Sequence, residues 1–149
     1  MRLPTLALAA LLALPFTASA QTAPAYDAEL AKSLGADERG MRQYVLVILK
    51  TGPNKMPAGD ARTKMFEGHF ANMGKLAGEK KLVLAGPLDG KEGRRGIFVF
   101  NTPDIEAAKT WVATDPVIIN GEMVAEYHKF YGSAALMMVN EVHGKIEKK

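Results

Sequence analysis

Among the residues whose type and spacing suit chemistry, His69 stands out because it sits inside an apolar stripe. From Asp60 to Glu79 the residues Met65, Phe66, Phe70, Met73, Leu76 and Ala77 recur at spacings of three and four, the period of a helix face turned to a core. His69 falls four residues after Met65 and four before Met73, so a helix that buries this stripe carries the imidazole inward. An imidazole titrates near neutrality and can give or take a proton there. A positioned acid or base of this kind contributes about 10² to 10⁴-fold in rate to proton transfers such as those beside a carbonyl or lactone group. The plainer reading is a core histidine satisfied by one hydrogen bond.

Asp115 is the second candidate. It continues by three the buried face Ile105, Ala108, Trp111 and Val112 of a later helix. Followed by Pro116, it also reads as the cap of a short turn from Val117 to Asn120, and local sequence leaves both readings open. Lys50 and Arg62 flank the loop between the first strand and the His69 helix and could attract an anionic substrate, or be merely solvated. Tyr131 stands where the last strand ends, able to reach a pocket mouth or to anchor the terminal helix. His128, between Glu126 and Phe130, reads as a surface or cross-strand residue, and His143 as a solvated one. A divalent ion held by His69, Asp115 and His128 suits those donor types but is the weaker reading. Acid–base work needs neither metal nor cofactor, and none is expected.

The 149-residue chain has no cysteine, which excludes disulfides, thiolate metal sites and cysteine nucleophiles. It opens MRLPTLALAALLALPFTASA, a pattern of one positive charge, a short apolar run and an Ala-x-Ala site that reads as a signal peptide, residues 1–20, cleaved after Ala20. The mature chain is expected to be periplasmic or secreted, and not membrane-bound after cleavage. Cleavage removes one of 19 basic residues and none of 16 acidic ones, leaving a nearly neutral +2. The basic clusters at Lys80-Lys81, Lys91 to Arg95 and Lys145 to Lys149 carry no interleaved aromatics and read as solvated loops and a tail, against a nucleic-acid surface.

The elements that must position the candidates follow in order. Residues 21–40 read as a linker and a short helix, Asp27 to Leu34, capped by Asp27 and ended by Gly35. Strands are expected at Gln43 to Lys50, Lys81 to Leu88, Gly96 to Phe100 and Glu122 to Phe130. The helix from Asp60, with Asp60 as its cap, and a helix from Thr102-Pro103-Asp104 to about Thr114 separate them. Residues 133–149 read as a terminal helix, capped by Ser133 and running to about Ile146, and a tail. Strand, helix, strand, strand, helix, strand over residues 41–132 is the ferredoxin-like βαββαβ order of an α+β domain, with both helices on one sheet face. The strands are apolar on both sides, so the other face calls for a cover. A homodimer packed sheet to sheet is the expected one.

The run Arg62 to Pro87, with His69 sixteen residues before Ala85-Gly86-Pro87, then Ile105-Glu106-Ala107-Ala108, Trp111 and Asp115-Pro116, resembles the YCII-related family over about Met41 to Phe130. The flanks GADERGM and FYGSAAL are similar to those of exported members. The resemblance implies a dimeric α+β barrel and a histidine–aspartate active pair, which falls on His69 and Asp115, with the aspartate orienting the imidazole. It implies a cofactor-independent lyase, isomerase or dehalogenase acting on a small carbonyl or lactone compound, as in muconolactone isomerases of the wider barrel group. The alternative is a noncatalytic ligand-binding or structural dimer in which the same pocket only binds. The helix Tyr26 to Leu34 and the tail after Gly132 depart from the smallest members and are expected to reshape or cover the pocket.

Overall fold

The long strand β1 (Met41–Thr51) is the spine of the structure, a computed structural model that describes residues 25–148. The expected signal peptide lies outside the described residues. β1 pairs antiparallel with β3 (Arg94–Phe100) on one side and β4 (Met123–Ser133) on the other, and β2 (Leu82–Pro87) adds to the outer edge of β3. The order β2-β3-β1-β4 is that of a ferredoxin-like α+β domain. The helix α2 (Asp60–Gly78) links β1 to β2, while α3 (Ile105–Val112) and the single turn α4 (Pro116–Ile119) link β3 to β4. Preceding this unit is α1 (Ala28–Ser33), whose Asp27 cap accepts from the Leu30 N–H at 2.9 Å. Among the described residues no helix is long and apolar enough to cross a membrane.

Alternation along β1 sorts its side chains. Val45, Val47 and Leu49 enter the core beneath the helices with Phe98, Phe100 and Val112, each contributing about 1.5–3 kcal/mol when fully buried. Tyr44 faces the other way and packs with Val83 and Val99. This reverse face is not bare. The chain leaves β4 through a 3₁₀ segment (Ala134–Met138) into α5 (Val139–Ile146), lays Leu136 and Met137 on the Tyr44 cluster, and ties down with Asn140 Nδ2 donating to the Leu82 carbonyl at 2.8 Å. Toward the far end Leu46, Ile48 and Ile97 stay half-buried and Val124 is exposed. The expected tail cover therefore falls on the reverse sheet face, where Leu136 and Met137 pack on the Tyr44 cluster, and not on the pocket.

Two helix starts differ from expectation. α2 is capped by Gly59, at φ 145° and ψ −177°, without a side-chain bond, and Asp60 sits inside the first turn, where its charge complements the helix dipole. The second helix begins after Asp104, whose carboxylate accepts from the Glu106 N–H at 2.9 Å, while Thr102 Oγ1 accepts from the Asp104 N–H. α3 ends at Val112 rather than about Thr114, and that early end turns Asp115 inward.

Candidate functional site

α2 delivers His69 to the core as its stripe dictates: Met65, His69 and Leu76 are buried, and Phe66 and Met73 are half-buried. Phe70 breaks the pattern, standing 63% exposed at the cleft mouth. The imidazole lies among aromatic rings, with centroids 5.3 Å from Phe70, 6.0 Å from Phe98 and 6.1 Å from Phe66. Its Nδ1 is 2.8 Å from Asp115 Oδ2 and 3.0 Å from Oδ1. Asp115 is 1% exposed and lies behind the ring; His69 is 7% exposed.

Asp115 serves both of the uses its sequence offered. Oδ1 also accepts from the Val117 N–H at 3.1 Å, capping α4, with Pro116 in the first turn. A carboxylate has lone pairs enough for both donors, and a buried one needs them. The close approach of α4 to α2 passes through Gly68, where a Cβ would stand 3.0 Å from Pro116 Cγ.

With Nδ1 directed at a carboxylate acceptor, the ring is set to donate there, and among the described residues Nε2 has no hydrogen-bond partner. The cleft measures about 270 Å³, between α2 and the β2–β3 side of the sheet, with Leu49, Phe66, Met73 and Phe98 among its walls. A larger hollow of about 360 Å³, over the start of α2, holds neither His69 nor Asp115.

Of the remaining candidates, Arg62 borders the larger hollow but is committed: its Nη2 donates to Glu122 Oε1 at 2.6 Å, and its guanidinium lies over Phe66 at 4.8 Å. Glu122, 1% exposed, takes the Met56 N–H on its other oxygen at 2.7 Å. The Arg62 hydrogen bond, followed by that of Met56, holds the Glu122 carboxyl below its usual pKa. Lys50 pairs with Glu126 at 2.9 Å and lines no part of the cleft. Tyr131 donates to Asp37, clamping the chain that follows α1 to β4, and is likewise outside the cleft. His128 lies opposite Leu46 in the β1–β4 register, on the reverse sheet face, and does not meet His69. Among the described residues no group of three or more metal-ligating side chains converges.

Arg95, which the sequence places in a solvated loop, is instead half-buried in the wall of the His69 cleft. Leu49 pairs with Gly96 while Lys50 pairs with Arg94, so Arg95 is the extra residue of a β-bulge. The available signal was Gly96, since a glycine inside a strand marks a bulge or a close approach.

The profile of the YCII-related domain matches residues 43–130. No curated protein matches the chain. Among solved structures it is similar to 5-chloro-2-hydroxyhydroquinone dehydrochlorinase (TftG) from Burkholderia phenoliruptrix AC1100, in complex with 2,5-dihydroxybenzoquinone, at 17% identity and a TM-score of 0.44, covering 58% of this chain and 92% of that one.

Proposed function

Because the chain belongs to the YCII-related family, we propose that it binds a small carbonyl or lactone compound in the His69 cleft and transforms it by cofactor-independent proton transfer. The observation that carries this reading is the buried Asp115 carboxylate 2.8 Å from Nδ1 of His69, a residue that lines the cleft. Nε2 takes the proton from a carbon beside the carbonyl, the C–H electron pair moves into the enolate, and Asp115 stabilises the imidazolium. Returning the proton to a different carbon isomerises the compound. Loss of a halide or other leaving group with its bonding electrons completes an elimination. A histidine bonded to backbone alone would instead have favoured a binding protein.

The test is deuterium exchange and product formation, followed by NMR in D₂O over a panel of small lactones and halogenated cyclic enones. Wild type is expected to turn over at least one of them, and His69→Ala none. Exchange that persists in His69→Ala removes the acid–base assignment.

The same proposal has the mature chain exported after cleavage behind Ala20 and paired as a homodimer through the half-covered reverse face, at Leu46, Ile48 and Ile97. The A-x-A leader pattern and the half-buried apolar side chains support it. N-terminal sequencing of periplasmic protein is expected to begin at Gln21. Light scattering is expected to give twice the chain mass, reduced to the single mass by Leu46→Glu. A monomeric wild type at micromolar concentration sinks the dimer.

A further inference from the structure

We propose that Arg95 is the anion-binding residue of the His69 cleft and that the cleft accepts small carboxylates with an apolar body of about one ring. The bulge is the first support: the extra residue of a bulge leaves the ladder and its side chain is re-aimed, and here that residue lines the cleft. The second is that its charge is uncommitted. Neighbouring basic groups are spent, Arg94 on Glu92, Arg62 on Glu122 and Lys50 on Glu126, whereas among the described residues Arg95 has no ion pair and no side-chain hydrogen bond. Glu122 lies near enough to feel the Arg95 charge, but both its oxygens are taken by Arg62 and the Met56 N–H.

A guanidinium cannot shed its proton, and beside apolar walls a counter-charge is worth more to it than in water. Its planar fork matches a carboxylate with two parallel hydrogen bonds. The remaining walls, Leu49, Phe66, Met73 and Phe98, suit a flat apolar body. A volume of about 270 Å³ lies just under the usual range for ligand sites, which limits the occupant to a small molecule. The carboxylate is thereby set at Arg95 and the rest of the molecule turned toward His69. This orientation rests on the acid–base reading of His69; the binding does not.

Benzoate and its neutral isostere benzamide are the probes, titrated by NMR into the full mature chain. Wild type is expected to bind benzoate about tenfold or more tighter than benzamide, the range for a hydrogen-bonded charge. Arg95→Met keeps the apolar stem and is expected to abolish that preference while leaving benzamide affinity and the melting temperature near wild type. Arg95→Lys keeps charge without the fork and is expected to recover part of the preference. His69→Gln is expected to retain the preference while losing turnover, so failure of the proton-transfer reading and failure of this one appear in different measurements. Equal affinity for acid and amide, no benzoate binding at millimolar concentration, or a preference that survives Arg95→Met overturns the assignment.

Discussion

Asp115 and Glu122 are each 1% exposed, and each faces a basic side chain of α2, His69 and Arg62 respectively. His69 and Arg62 stand seven residues apart, two helical turns, hence on one face. Two stitches of similar geometry therefore join α2 to the segment between α3 and β4. They differ in what remains after the stitch is made. A guanidinium does not give up its proton, and both Glu122 oxygens are used, one by Arg62 and one by the Met56 N–H. His69 spends one nitrogen on Asp115 and keeps another. A saturated pair of this kind fixes geometry, whereas a pair with a spare titratable atom can act on a reactant.

The comparison is broken most directly by exchanging which stitch is cut. His69→Ala is expected to bring turnover of a responsive substrate below detection, a loss of about 10² to 10⁴-fold or more, and also to cost about 2–3 kcal/mol of stability, because the buried Asp115 carboxylate keeps only the Val117 N–H. Asp115→Asn keeps the shape and is expected to cost about 10²-fold, because orientation of the ring is lost. If His69→Ala merely destabilised the protein while activity per folded molecule survived, the two stitches would be alike.

Gly68→Val sharpens the contrast by moving one stitch and sparing the other. Its branched side chain has no room against Pro116, so α4 is displaced and the His69–Asp115 contact lengthens. About 10²-fold loss of turnover is expected from such a shift, with chemical shifts around Arg62 little changed. Gly68→Ala, meeting Pro116 Cγ at 3.0 Å, is expected to give a smaller loss in the same assay.

Arg62→Met tests the other side. It strands a buried carboxylate and is expected to cost about 2–3 kcal/mol in chemical denaturation, with kcat per folded molecule unchanged. Inactivity of the folded variant would place Arg62 in the site after all.

The smallest effect is one of pH. The folded-state pKa of Glu122 is lowered from 4.5, chiefly by Arg62, so its stabilisation is fully present above that value and is lost as pH falls below it toward the folded pKa. Glu122→Gln is expected to flatten the decline of stability with pH in that acid window. An unchanged slope would show that the pair does not govern acid unfolding.

Much of this arrangement was legible beforehand. The three- and four-residue spacing around His69 placed it on the inner face of a helix observed at Asp60–Gly78, and the Asp27 cap appears as its side-chain chemistry requires. Ser133 instead caps the 3₁₀ segment Ala134–Met138, and the terminal helix begins only at Val139, without a side-chain cap. Asp115 was legible as either cap or partner, and the structure makes it both. Phe70, counted with the buried stripe, lies at its rim because the cleft opens there.

The residues that misled were those whose partners are far away in sequence. Arg62 and Lys50 were free cations on paper and are paired with Glu122 and Glu126; Tyr131 is spent on Asp37; Arg95 came out of a supposed loop into the cleft wall through a bulge. Periodicity, capping and turn chemistry are set by neighbours within about four residues, so the chain alone determined the order of its elements and which side of α2 carries His69. Ion-pair partners, the bulge at Arg95 and the folding of the tail over Tyr44, Val83 and Val99 depend on which distant surfaces meet. Only the packed sheet and helices decided those.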